Sequence, residues 1–287
     1  MSPSLPTRCA AGKHVRPDDP AAADDSGYAC QRCGGRILAR RRARLVLSSA
    51  PPASRARATA YAEPQPSRQV TLGRLHLLLG DGLAWLRQRP ISSVDGIFTD
   101  PPWGVGPDIA GQDRWLDLIR DMCTAAWHVL RPGGRMLIWL GANRFGPAAR
   151  VIDSMHHFLG WITVRRIPPA IRGRMVLAGD VVLVYGRNPG IQPVVPRASM
   201  EKTHASRGHP DTTHPCARPF DIAQRIIADW FAPGETIVDP FGGSGTLALA
   251  ASELGMDAYS IEIDPRWHAE AELRARARTP RLPGIDP

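Results

Sequence analysis

The segment Ile97–Gly106, IFTDPPWGVG, holds the chain's most suggestive chemistry. An apolar run ends on one carboxylate, Asp100, followed by Pro101, Pro102 and Trp103. Proline has no backbone N–H, so a strand must stop at Asp100, and the loop beyond it offers carbonyl acceptors without competing donors. Read alone, this is equally a proline-marked turn with a solvated aspartate. The second stretch is VDPFGGSGT, from Val238 to Thr246, which contains Asp239, Phe241, Gly243, Ser244, Gly245 and Thr246. Its glycines permit positive φ and close approach of a ligand to the backbone, at the entrance to a helix whose first N–H groups are unpaired. No lysine follows, so the loop is not the phosphate-cradling motif, nor does it match GxGxxG.

Glu262 ends the next apolar run, SIEID, where a doubly wound fold places an acid for ribose hydroxyls. Asp264, just before Pro265, fits an ordinary helix cap. A nucleoside grip without a phosphate grip points to S-adenosylmethionine as the cofactor.

Apolar runs alternating with helical patterns must position these groups, and they predict a doubly wound α/β sheet. VDGIFTD, RMLIWLG, ETIVD and DAYSIEID read as buried strands, and VTLGRLHLLLGD as a strand or a bent pair. DRWLDLIRDMCTAAWHVL is an amphipathic helix with RPGG as its stop; RPFDIAQRIIADWF, LALAASEL and PRWHAEAELRARAR are further helices. WITVRRI and DVVLVYGR are expected to pair as an antiparallel hairpin around a basic loop.

Together TDPPW and DPFGGSGT resemble the DNA amino-methyltransferases that modify adenine N6 or cytosine N4, in the beta-type order with the catalytic motif first. The resemblance runs from about Val70 to the last helix. It implies a Rossmann-like, mostly parallel seven-stranded sheet with an antiparallel hairpin. It implies that the Asp100 carboxylate and Pro101 carbonyl accept both hydrogens of an exocyclic amine, turning its lone pair toward the methyl donor. Trp103 would stack on a base flipped out of the duplex. GDGLAWL, with Asp81, resembles the acidic contact to the cofactor, and HPCARPFDIAQRII, with His214, resembles the segment before the cofactor loop. There Arg218 stands where the family usually has lysine. Aspartate at the first motif position usually accompanies adenine and serine cytosine. Cytosine N4 in DNA, and adenine N6 in RNA, remain alternatives. A non-catalytic DNA-binding subunit on this scaffold would show an eroded acceptor motif, and the motif is intact.

The net charge of +9 is concentrated. Residues 1–68 hold 12 Lys and Arg against 5 Asp and Glu, and residues 165–218 hold 9 against 3. Such basic regions suit a polyanion, here double-stranded DNA. Residues 48–68, rich in Pro, Ala, Ser and Arg, read as a flexible linker between an N-terminal module, 1–47, and a methyltransferase domain, 69–287. In the module Cys9, His14, Cys30 and Cys33 could form a Cys₃His zinc site of zinc-ribbon type, followed by the basic arm RRRAR. Residues 187–213 form a short expected target-recognition segment, whose Arg197, Lys202 and Arg207 are expected on phosphates. His204, His209 and His214 are spaced by five and match no common metal-ligand pattern. Five cysteines, no bilayer-length apolar run and no apolar leader fit a reducing cytoplasmic setting. A homodimer or a separate specificity partner is left open.

Overall fold

The computed structural model describes residues 23–24, 27–29, 36–37, 66–102, 114–172, 175–195, 201–205 and 211–278. Trp103, Cys9, His14, Cys30, Cys33, Arg197, Arg207 and His209 lie outside them. The chain forms two units, Met1–Tyr61 and Ala62–Pro287. The first contains a small antiparallel sheet of β1 (Ala23–Asp24), β2 (Gly27–Ala29) and β3 (Arg36–Ile37).

The second unit begins with a hairpin of β4 (Arg68–Leu72) and β5 (Leu75–Leu79). There follow α1 (Gly82–Arg87), β6 (Val94–Thr99), α2 (Trp115–Val129), β7 (Leu130–Gly141) and α3 (Phe145–Ile152). The long hairpin of β8 (His157–Arg172) and β9 (Met175–Gly186) comes next, then β10 (Glu201–Ala205) and α4 (Phe220–Trp230). The chain closes with β11 (Thr236–Asp239), α5 (Thr246–Glu253), β12 (Asp257–Glu262) and α6 (Pro265–Arg278).

Nine strands form one sheet in the order β10-β8-β9-β7-β6-β11-β12-β5-β4. The five central strands, β7 to β5 in that order, are parallel, and antiparallel pairs flank them. The expected count of seven is therefore corrected to nine among the described residues. One addition is β4, the other arm of the bent pair. The other is β10, which pairs in parallel with β8 from Glu201↔Thr163 to Ala205↔Ile167. An edge strand presents a row of unpaired backbone groups, and β10 satisfies part of that row. Its pairing turns Lys202 inward, where the buried ammonium donates to Asp229 on α4. The expectation that Lys202 contacts phosphate is thereby corrected.

Side chains of period two explain the layers. On β7, Met136, Ile138 and Leu140 pack with α1, α2 and α3, while Leu137 and Trp139 face α4, α5 and α6. The fold is thus a sheet between two helical layers. RPGG, expected as a helix stop, lies inside β7, because Leu130 already pairs with Val94.

The connections set where a ligand can sit. From β6 the chain crosses through α2 to β7 on one side; from its neighbour β11 it crosses through α5 to β12 on the other. Diverging crossovers open a crevice at the carboxyl ends of those two strands. Asp100 follows β6 and the glycine loop follows β11, so both border it.

Candidate active site

Asp100 is the first residue beyond β6, with Pro101 buried behind it. Its carboxylate is held by a bidentate fork from Arg218, with Nε donating to Oδ2 at 2.6 Å and Nη2 to Oδ1 at 2.7 Å. The third guanidinium nitrogen, Nη1, donates to Oδ2 of Asp180 on β9 at 2.7 Å. That same oxygen accepts Trp139 Nε1–H at 3.1 Å, and the guanidinium carbon lies 5.4 Å from the Trp139 ring centroid. The Arg218 side chain is only 10% exposed. Burial alone would lower its pKa, but the charges of Asp100 and Asp180 outweigh that and raise it. Two carboxylates thus share one buried cation.

The end of β11 is tied to the end of β6. Thr99 Oγ1 donates to Asp239 Oδ1 at 2.6 Å, and the Phe241 N–H reaches the same oxygen at 3.1 Å. Full burial pushes the Asp239 carboxyl up to about 7; Asp100 and Glu262 add to the rise, and the two hydrogen bonds oppose it. The glycine loop then bends onto β12. Gly243, at φ +52°, donates its N–H to Glu262 Oε2 at 2.6 Å, and Asp264 N–H reaches Oε1 at 2.7 Å. Burial raises the pKa of Glu262. An ionised carboxylate has about four acceptor sites, so these two bonds and a third from the Ile263 backbone leave room for a ligand hydroxyl.

Asp81 follows β5 and caps α1, accepting from Leu83 N–H at 2.8 Å and Ala84 N–H at 3.1 Å. Beside it, a Cβ on Gly82 would lie 2.0 Å from the Pro240 carbonyl oxygen, so α1 and the glycine loop meet backbone to backbone. Behind the loop, buried Arg274 on α6 donates to the Ser244 carbonyl at 2.5 Å, Ser244 Oγ at 3.0 Å and Thr246 Oγ1 at 2.9 Å. These two hydroxyls therefore hold the loop to α6. In front of it stands His214, 4.4 Å edge-on from the Trp267 ring and kept less basic than usual chiefly by burial. Glu270 anchors the approach to His214 by accepting Thr213 N–H at 2.9 Å and the hydroxyls of Thr212 and Thr213.

The crevice accordingly gathers Asp81, Asp100, His214, Arg218, Asp239, Phe241, Gly243 and Glu262 from across the chain. Carboxyl groups predominate in this set and its arginine, Arg218, is already engaged by two carboxylates, so the set offers acceptors for the hydroxyls of a nucleoside and suits a polyphosphate poorly. Arg218, expected toward the cofactor, engages Asp100. Sequence reasoning missed Asp180, Trp139 and Arg274. Asp180 reads only as the start of a strand, and its role depends on partners 38 and 41 residues away. Among the described residues no three His, Cys, Asp or Glu side chains group as metal ligands. No helix there is long and apolar enough to cross a membrane.

A family model described as DNA methylase matches residues 94–273. Over 232 residues the chain is 22% identical to the DNA adenine methyltransferase YhdJ of Escherichia coli K12, covering 67% of this chain and 79% of that one. Its fold is similar to PvuII DNA methyltransferase, described as cytosine-N4-specific, with a TM-score of 0.63, 17% identity and coverage of 77% and 92% of the two chains. It is also similar to TTHA0409 of Thermus thermophilus, crystallised with S-adenosyl-L-methionine, with a TM-score of 0.57, 19% identity and coverage of 71% and 94%.

Proposed function

Because the chain belongs to the N6/N4 DNA methylase family, matched over residues 94–273, we propose that it methylates the N6 amine of adenine in double-stranded DNA. S-adenosylmethionine, when bound, supplies a methyl group activated on a positively charged sulfonium. The residues at the crevice fit that group: Glu262 as acceptor for a ribose hydroxyl, the backbone of the glycine loop beside it, and the Asp100–Arg218–Asp180 cluster, in which two carboxylates share one cation. TTHA0409, which shares the fold, binds the same compound.

The observation that carries the reading is the Asp100 carboxylate just beyond the carboxyl end of β6, across the crevice from the glycine loop. An amine conjugated with its ring is a poor nucleophile because its lone pair is delocalised. Asp100 and the Pro101 carbonyl accept its two hydrogens, and the nitrogen becomes more tetrahedral. The rigid diproline fixes that carbonyl in advance, as electrostatic catalysis requires. The fork from Arg218 does not by itself exhaust the acceptor sites of Asp100. Trp103 stacks on the extruded base. Asp100, where cytosine enzymes usually have serine, favours adenine.

Comparison of Asp100→Ala with the unaltered protein on unmethylated DNA tests this. Methyl transfer from labelled S-adenosylmethionine should fall about 10²–10³-fold, as expected for loss of a preorganised electrostatic group. Calorimetric binding of the cofactor should stay within about threefold. Substantial residual transfer would remove Asp100 from the chemistry.

A further inference from the structure

Asp180 sits in the interior of the sheet, its backbone paired with Gly141 of β7 on one side and Val164 of β8 on the other. It therefore cannot drift with a loop. Its Oδ2 anchors Nη1 of Arg218, and Trp139 Nε1–H fixes that oxygen in turn. Trp139 is fully buried, with its ring stacked on Phe98 of β6 at 6.1 Å. The guanidinium is planar, and a forked carboxylate tends to lie in its plane. Anchoring Nη1 while Trp139 fixes the anchor sets the plane of Arg218, and so the plane of the Asp100 carboxylate.

Charge matters as much as direction. Arg218 alone would neutralise Asp100 and weaken it as an acceptor. Asp180 shares the cation, so the cluster of three keeps a net negative charge facing the crevice.

Resting on the function proposed above, we infer that Asp180 is a positioning residue for amine methylation, which acts through Arg218 to orient the Asp100 carboxylate and keep it a strong hydrogen-bond acceptor. This deepens that function by assigning Arg218 to the acceptor side of the site and not to cofactor binding.

The test is Asp180→Asn, which keeps the shape and an acceptor oxygen but removes the charge. Its kcat should fall about 10–100-fold, by analogy with groups that orient a metal ligand, with KM and calorimetric Kd for S-adenosylmethionine within about threefold. Trp139→Phe keeps an aromatic ring, though a smaller one, and removes the Nε1–H donor; it should give a smaller fall with the same split, and it serves if Asp180→Asn does not fold. An unchanged kcat would overturn the inference. So would a parallel loss of cofactor binding, which would return Arg218 to the cofactor. A readout independent of turnover is the side-chain Nε–H resonance of Arg218, assigned by its loss in Arg218→Lys. It should be slowly exchanging in the unaltered protein and should shift and broaden in Asp180→Asn. If the unaltered protein transfers no methyl group, the proposed function fails, and the resonance alone decides: a change supports the coupling of Asp180 to Arg218, and an unmoved signal overturns it.

Discussion

Asp239 offers a quantitative test of how tightly the crevice is built. Its carboxyl is fully buried and pushed from an ordinary 3.8 up to about 7, mainly by desolvation. The native state therefore keeps a proton that the unfolded chain releases near pH 4. Between those values the unfolded state binds fewer protons, so stability falls as pH rises and the full penalty is present above pH 7. A pKa difference of one corresponds to about 1.4 kcal/mol, so roughly 3 kcal/mol is lost from pH 5 to pH 8 through this group alone. Asp239→Asn keeps an oxygen for Thr99 Oγ1–H and Phe241 N–H but cannot ionise. Any cost of burying its amide is the same at both pH values. Urea unfolding of both proteins at pH 5 and pH 8 should thus show the variant gaining roughly 3 kcal/mol on the unaltered protein over that interval. A difference between them that stays constant with pH would refute burial as the dominant influence on Asp239.

Gly82→Ala places a methyl group on the Pro240 carbonyl, 2.0 Å away, and should cost about 3 kcal/mol, the upper end for overpacking, together with cofactor affinity. Thermal unfolding and calorimetry would check both, and an unchanged melting temperature would show that α1 and the glycine loop do not meet. Removal of residues 1–68 should weaken DNA binding and reduce its dependence on salt, since that segment carries 12 Lys and Arg. Identical affinities over a salt series would dismiss the basic arm. Elemental analysis of the full chain is expected to give about one zinc per chain, lost on Cys30→Ser with Cys33→Ser. Metal-free protein with β1 to β3 still formed would end the zinc reading.

Much of the site was legible because its residues cluster at strand ends. Asp100, the loop from Asp239 to Thr246 and Glu262 each end an apolar run, and parallel strands deliver such ends to one edge of a sheet. The hairpin of β8 and β9 was legible from its two apolar runs. The remainder depends on partners that no local pattern reveals. Arg218 reaches Asp100 across 118 residues, and Asp180 acquires its role only because β9 runs antiparallel beside β7. Lys202 looks like one cation in a basic loop until β10 pairs with β8 and turns it onto Asp229. Ser244 and Thr246 belong to a motif that suggests ligand contact, yet their hydroxyls bond to Arg274 on α6, 30 and 28 residues further along the chain.

Nucleoside mass spectrometry on unmethylated double-stranded DNA, incubated with the protein and S-adenosylmethionine, identifies which base receives the methyl group. N6-methyladenine is the expected product. N4-methylcytosine, or no methylated nucleoside from protein that binds the cofactor, would contradict the proposed function.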